Sequence, residues 1–170
     1  MTVNRSSPNR QRALEVDVEL VAETAPPVDL DLDAVRRLVS FVLAGEAQSG
    51  SWSVAVVLTD DGTLRRLHRD FLEIDTETDV MTFPAEDGSP VGTDRRGGGD
   101  IVVSVERATD QAPAFGHGTA AEVRFLVVHG LLHLCGWDDG DDAARERMLN
   151  RQGELLAMFD AHERQAGTAD

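Results

Sequence analysis

The apolar residues of this chain follow two spacings, and the shorter of the two predicts strands. From Leu14 to Val21 apolar and acidic side chains alternate, which indicates a half-buried strand with an acidic outer face. Trp52 to Leu58 is apolar on both faces, so we expect this strand inside a sheet. Asp100 to Val105 is rich in Val and Ile and predicts another buried strand. Thr78 to Phe83 predicts an edge or third strand, because Pro84 ends it.

Apolar residues three and four positions apart predict helices between and after these strands. Helices are predicted for five segments, which begin at Asp31 or Asp33, near Leu64, near Glu106, at Thr119, and at Asp141 or Asp142. In the last segment Met148, Gln152, Leu155 and Phe159 form a stripe that we expect to pack on the sheet. The sequence therefore predicts a compact α+β domain with a small four-stranded mixed sheet and about five helices.

Length and composition indicate one soluble globular domain. The chain has 170 residues, of which 41% are hydrophobic and 28% are charged. We expect a disordered tail at residues 1–13, a single domain at residues 14–164, and a frayed end at residues 165–170. There is no secretory leader and no apolar run of membrane-spanning length, and Cys135 is the only cysteine. These features predict a cytoplasmic protein with no membrane partner.

The helix that begins near Thr119 is the candidate for chemistry. Thr119 to Glu122 fits a Ser/Thr-x-x-Glu capping box, and the helix that follows is apolar on almost every face, so we expect it to be buried. His129 and His133 lie four residues apart and therefore on one side of this helix. Buried imidazoles need hydrogen-bond or metal partners, and one divalent metal would serve both. The alternative is two core histidines without a metal.

The residues after the second histidine can complete a metal site. Gly136 is a natural helix stop, and the reversal behind it can bring Asp138 or Asp139 back to the histidines. Two histidines and one carboxylate give three protein ligands and leave one coordination position open, as in catalytic zinc sites. The sequence therefore predicts a zincin-like metal-binding helix whose ligands are His129, His133 and one of the two aspartates.

The spacing H-x-x-x-H-x-x-G-x-x-D matches the pattern of metzincin proteases except at one position. Zinc peptidases carry a glutamate after the first histidine, where it acts as the general base, whereas this chain has Gly130. A metal-dependent hydrolase of peptides or amides remains an alternative, but it would lack its usual base.

Three sequence blocks resemble the YbeY family, metal-dependent single-strand endoribonucleases of ribosomal RNA maturation. Residues 129–138 fit the family signature H-G-x-L-H-L-x-G-(Y/W)-D-H, in which the last histidine is replaced here by Asp139. The resemblance therefore implies Asp139 as the third metal ligand, beside His129 and His133. Thr78 to Pro84 is similar to T-(D/N)-V-L-S-F-P, and Gly99 to Ser104 is similar to G-D-I-x-I-S. The resemblance covers roughly residues 50 to 160. A second departure is Leu72, at a position where the family usually carries an arginine near the metal.

The resemblance implies a hydrolase that cleaves phosphodiester bonds of single-stranded RNA with a metal-activated water. It implies ribosomal RNA processing and ribosome quality control, with the small ribosomal subunit or assembly factors as partners. Zinc is the expected metal, and the carboxylate of Asp139 makes Mn²⁺ or Fe²⁺ plausible because it favours harder ions. Arg69, one turn before Leu72, is the nearest replacement for the missing arginine. Asp79 is a candidate proton acceptor, a partner that orients a ligand imidazole, or a structural residue of the turn.

The net charge of −15 opposes RNA binding, since affinity for nucleic acid comes largely from neutralised phosphates. A metal and a few arginines at one cleft can still create a local positive field. Arg65, Arg66 and Arg69 lie on one face of the second predicted helix, which either binds phosphate or is simply a solvated face. Residues 85–99 predict a mobile loop that could cover the cleft. The alternative is a non-catalytic ribosome-assembly factor with a structural metal, which would explain Leu72 and the acidic surface.

Overall fold

The computed structural model describes residues 13–75, 78–85 and 96–167. Within these residues one four-stranded sheet has the order β1-β2-β4-β3. Strands β1 and β4 run parallel to β2, and β3 runs antiparallel to β4 at the edge. The bounds are Leu14–Ala22 for β1, Gly50–Thr59 for β2, Val80–Pro84 for β3 and Arg96–Ser104 for β4.

Five α-helices accompany the sheet in the described part of the chain. They are α1 at Leu32–Gly45, α2 at Asp61–Leu72, α3 at Val105–Gln111, α4 at Thr119–Leu134 and α5 at Asp142–Gly167. A 3₁₀ turn at Ala112–Phe115 follows α3. The predicted α+β fold, with a small mixed sheet and about five helices, is confirmed. None of the helices within the described ranges is long and apolar enough to span a membrane.

The two faces of the sheet are covered by different helices, as the alternation along β4 makes plain. Ile101 and Val103 belong to the main core cluster, which contains residues of α1, α4 and α5. Val102 packs with Met81 and with Leu64 of α2 in a second, smaller cluster. Because successive strand residues point to opposite faces, α2 and α4 lie on opposite sides of the sheet.

Helix α4 is buried along most of its length, as its apolar sequence predicts. Val123, Val127, Val128, Leu131 and Leu132 are each fully shielded from solvent. The helix packs against β3 and β4 below it and against α1 and α5 beside it. Such complete burial accounts for a helix without a polar face.

Gly130 sets how closely α4 approaches the sheet. A Cβ atom at this position would lie 2.7 Å from Ile101 Cγ2 and 3.0 Å from Thr82 Cγ2. Both distances are shorter than ordinary carbon–carbon contacts, so no side chain fits here without displacing β3 or β4. The absence of a side chain at residue 130 therefore brings the following turn, with His133, close to the sheet.

Two predictions about the ends and the packing of helices are wrong. The N-cap of α4 is Gly118, which makes no side-chain cap, and not Thr119. The carboxylate of Glu122 instead bonds the ring of His117, because it is buried and needs a partner there. Helix α5 packs mainly on α4 and α1, which already cover that face of the sheet.

Part of the predicted loop at residues 85–99 is strand. Residues 96–99 pair with β2, and Gly97 makes room for the indole of Trp52, which a Cβ atom would approach to 2.4 Å. The rest of that prediction concerns residues 86–95, which lie outside the described part of the chain. The predicted tail likewise falls on residues 1–12. Helix α5 includes residues 165–167 of the segment predicted to fray, and residues 168–170 are not described.

Candidate metal centre

Three potential ligand atoms converge at the end of α4 that carries the two histidines. His129 Nε2 and His133 Nε2 lie 3.0 Å apart, and Asp139 Oδ2 lies 3.5 Å from the first and 3.7 Å from the second. Of the two aspartates that follow Gly136, the structure brings Asp139 to the histidines. Asp138 instead accepts a hydrogen bond from the backbone N–H of Gly140 at 3.1 Å.

Both imidazoles are oriented by hydrogen bonds at their other ring nitrogen. His129 Nδ1 lies 3.0 Å from Oε1 of Gln152, whose Nε2 donates to the backbone oxygen of Phe125. His133 Nδ1 donates to the backbone oxygen of Trp137 at 3.0 Å. Because each Nδ1 faces an acceptor, it carries the hydrogen in the neutral ring. The Nε2 atoms therefore present lone pairs to one another and to Asp139.

This donor set fits a divalent metal. Ligand atoms about 2.05 Å from a tetrahedral ion are separated by roughly 3.3 Å, close to the three distances measured between these atoms. Two lone pairs and a carboxylate oxygen repel one another unless a cation lies between them. In the described ranges no fourth His, Cys, Asp or Glu joins the group. The geometry is that of a site with three protein ligands and an open position.

The turn that carries Asp139 is fixed from outside the site by Glu46, which follows α1. Glu46 Oε2 accepts from Trp137 Nε1 at 2.8 Å, and its Oε1 accepts from Arg151 Nε of α5 at 2.8 Å. Gly136 has a φ of 95°, a conformation that glycine adopts without strain, and it lets the chain reverse after α4. Glu46 thus connects α1 and α5 to the residue whose backbone oxygen orients His133.

Cys135 lies next to the site but is not suited to bind the metal. Burial, and secondarily the charge of Glu46, raise the pKa of its thiol to about 12. Its sulfur is not among the ligand atoms that converge with those of His129, His133 and Asp139 in the described part of the chain. Cys135 is therefore a partly buried thiol beside the site and not one of its ligands.

The three ligand residues open into a cleft of about 580 Å³. The remaining wall is formed by the last turns of α2 and by β3 with the residues before it; it consists of His68, Phe71, Leu72, Thr78, Asp79, Val80, Met81, Thr82 and Phe83. No arginine or lysine occurs among these lining residues. A volume of this size is typical of small-ligand sites, and an open cleft admits a segment of a longer chain.

The predicted catalytic residues take different positions with respect to this cleft. Asp79 lines it, and its Oδ2 accepts from Gln111 Nε2 at 3.2 Å while its backbone oxygen accepts from Ser104 N at 2.9 Å. Arg69 is bonded to the neighbouring Asp70 at 3.2 Å and is not one of the lining residues.

Two residues of the site were missed by sequence reasoning. His68 lines the cleft, and its spacing of three and four residues from Phe71 and Leu72 is the signal that places all three on one face of α2. Gln152 was expected in the apolar stripe of α5 only as a packing residue. A fully buried amide in such a stripe needs hydrogen-bond partners, and this requirement was the available signal.

Comparison with known proteins gives a consistent set of relatives. The family model described as "Endoribonuclease YbeY" matches residues 21–160. A protein named endoribonuclease YbeY from Symbiobacterium thermophilum is 37% identical over 145 residues, which cover 83% of this chain and 92% of that protein. Its namesake from Geobacillus kaustophilus is 32% identical over 86% of this chain and 97% of its own length. The namesake from Chloroflexus aurantiacus is 38% identical over 78% and 89%, respectively.

A solved structure has a similar fold. The solution structure of TM1509 from Thermotoga maritima superposes with a TM-score of 0.58 and 22% sequence identity. The match covers 91% of this chain and 96% of that protein. At this level of identity the likeness supports the architecture alone.

Proposed function

Because the chain belongs to the endoribonuclease YbeY family, we propose that it is a metal-dependent endoribonuclease that cleaves single-stranded RNA. The family resemblance of the three sequence blocks is confirmed by the model match and by relatives that cover most of the chain. The observation that supports this activity best is the convergence of His129, His133 and Asp139 at the floor of an open cleft.

The reaction we propose is hydrolysis of a phosphodiester bond. A metal bound by the three residues would acidify a water and polarise a phosphoryl oxygen. His129 and His133 are suited to hold it because Gln152 and Trp137 fix their tautomers. Asp139, in place of a third histidine, lowers the net charge of the site by one unit and favours harder ions. Zinc is the first choice, followed by Mn²⁺ or Fe²⁺.

We propose supporting roles for the two predicted catalytic residues. Asp79 faces the cleft with a carboxylate steadied by Gln111, so it is a candidate to accept a proton or to hold the wall in shape. Arg69 would have to break its bond with Asp70 to reach a phosphate. Replacing Arg69 with Ala should raise the KM for RNA if it does so, and should change nothing if it remains at the surface.

The biological substrate we propose is ribosomal RNA, cleaved during processing and quality control of the small subunit in the cytoplasm. The net charge of −15 implies weak intrinsic affinity for RNA, so a ribosomal protein or assembly factor would help to present the substrate. The family membership supports the substrate class, and the charge supports the need for a partner.

One observation favours the alternative of a non-catalytic assembly factor with a structural metal. Leu72 lines the cleft at a position where the family usually has an arginine. Among the described residues, no arginine or lysine lines the cleft. The peptidase alternative is weakened by Gly130, since the packing against Ile101 leaves no room for a glutamate.

The experiment that tests the proposal compares RNA and peptide cleavage by the purified, metal-analysed protein. Labelled single-stranded RNA, the matching duplex and a peptide pool are incubated with and without a chelator. We expect cleavage of the single strand alone, abolished by the chelator and by His129→Ala. Chelator-insensitive cleavage would identify a contaminating nuclease, and a metal-loaded protein without any cleavage would favour the assembly factor.

A further inference from the structure

Phe71 exposes an aromatic ring beside the candidate metal centre. The residue lies in the last turn of α2, is 64% exposed, and lines the same cleft as His129, His133 and Asp139. Exposing a phenyl ring to water is unfavourable, and such rings at a cleft wall commonly mark binding sites. The neighbouring Leu72 is 55% exposed and lines the cleft as well.

The ring of Phe71 is supported from one side by Phe83. Their centroids lie 5.1 Å apart with an interplanar angle of 69°, an edge-to-face arrangement. Phe83 in turn packs on the small core cluster of Leu64, Met81 and Val102. Phe71 is therefore a braced platform, with much of its surface left open to a ligand.

The charges around the cleft indicate which part of an RNA such a platform would bind. Capture through phosphates needs cationic side chains, yet no described residue of the cleft wall is an arginine or a lysine. The arginines of α2 are bonded elsewhere: Arg65 to Asp75, Arg66 to Thr63 and Arg69 to Asp70. A nucleobase has no net charge, and its flat face stacks on aromatic rings whatever the sequence.

We propose that Phe71, braced by Phe83, stacks on an unpaired nucleobase of the RNA strand held at the metal centre. The inference rests on the proposed nuclease function and names the contact that holds the substrate. It also gives a physical reason for a single-strand preference, since the face of a paired base is already covered by its stacked neighbours.

The first test measures equilibrium binding of a short, non-hydrolysable analogue of single-stranded RNA to the metal-loaded protein, so that the metal stays bound and no cleavage occurs. Phe71→Ala should weaken binding roughly 5- to 100-fold, the range found for loss of one base–aromatic stack, and Phe71→Trp should preserve it. Phe115→Ala is the matched control, because Phe115 is 67% exposed but does not line the cleft. In turnover, Phe71→Ala should raise KM and leave kcat nearly unchanged. Urea unfolding of each variant excludes a folding defect.

A second measurement reports stacking directly. The chain has no tyrosine and two tryptophans, of which Trp52 is buried and Trp137 is half-buried. RNA should quench the fluorescence of the additional indole in Phe71→Trp, whereas it should leave the fluorescence of the additional indole in Phe115→Trp unchanged. A third comparison uses an oligonucleotide in which a single abasic site replaces the stacked base. Wild type should bind it more weakly than the intact oligonucleotide, whereas Phe71→Ala should bind the two equally.

The outcomes separate this inference from the proposed function. Absence of cleavage by the metal-loaded wild type would refute the nuclease activity itself. Active wild type with unchanged RNA affinity and KM in Phe71→Ala would overturn the stacking proposal alone. If light scattering then showed self-association that Phe71→Ala abolishes, the exposed patch would belong to a contact between two copies of the chain.

Discussion

Gln152 of α5 and His129 of α4 are joined by a hydrogen bond of 3.0 Å between Gln152 Oε1 and His129 Nδ1. The amide cannot turn freely, because its Nε2 donates to the backbone oxygen of Phe125 at 3.2 Å. Gln152 therefore selects the imidazole tautomer whose Nε2 is free to bind a metal.

Replacing Gln152 with Leu should weaken metal binding by about 10- to 100-fold, the usual effect of losing a group that orients a ligand histidine. Competition with a chromophoric chelator measures the affinity. Gln152→Glu, which keeps an acceptor for His129, should lose less. Asn150→Leu, at an exposed position of the same helix, should bind metal like wild type. Equal affinities of Gln152→Leu and Asn150→Leu would contradict the orienting role.

Asp139→Ala should reduce metal affinity by more than about 100-fold, because a direct ligand contributes more than a residue that only orients one. Asp138→Ala is the matched control, since Asp138 bonds only Gly140 N among the described contacts of its carboxylate. Asp139→His restores a neutral ligand and should keep the metal bound. Unchanged metal stoichiometry and affinity in Asp139→Ala would refute the ligand assignment.

Gly130→Ala should destabilise the fold by about 1–2 kcal/mol, since the cost of overpacking exceeds the gain in helix propensity. The added methyl would meet Ile101 Cγ2 at 2.7 Å. Gly153→Ala is the control: it also lies within a helix, but nothing within 4 Å opposes its Cβ, so it should gain about 0.5–1 kcal/mol. Urea unfolding gives both values. A neutral or stabilising Gly130→Ala would show that α4 can move away from the sheet at little cost.

Glu46→Ala should lower the free energy of unfolding by about 2–3 kcal/mol, because Trp137 Nε1 and Arg151 Nε both lose a charged acceptor. Metal affinity should fall as well, since Trp137 supplies the backbone oxygen that orients His133. Glu154→Gln removes only a peripheral ion pair of Arg151, at a side chain that is 63% exposed, and should change stability by less than about 0.5 kcal/mol. If Glu46→Ala lost stability but kept its metal affinity, Glu46 would support the fold without helping to orient His133.

The metal ligands could be predicted because helical periodicity and a helix stop fix their relative positions. A spacing of four puts His129 and His133 on one side of α4, and Gly136 allows the chain to reverse. Turn geometry alone did not choose between Asp138 and Asp139, since both follow the same turn, and the family signature pointed to Asp139. The choice depends on the bond from Gly140 N to Asp138, which holds that carboxylate in a local turn.

Other parts depend on contacts between distant segments, which periodicity does not record. The stripe of α5 was predicted correctly, yet the partner of Gln152 lies on another helix, 23 residues earlier in the chain. The Thr119 capping box was wrong because Glu122 finds His117 within reach and bonds it rather than the helix end. On α2 the sequence predicted candidate phosphate ligands among the arginines, whereas the face toward the cleft carries His68, Phe71 and Leu72.

The close packing of Gly130 against the sheet also affects how nucleases and peptidases with this histidine spacing could be interconverted. A glutamate introduced at residue 130 would collide with Ile101 and Thr82 before it could serve as a base. Ile101 and Thr82 would first have to be replaced by smaller residues. These replacements would lower the stability of the fold before any new activity appeared. A designer or a lineage starting from this chain therefore faces a barrier of at least three coupled substitutions, not one.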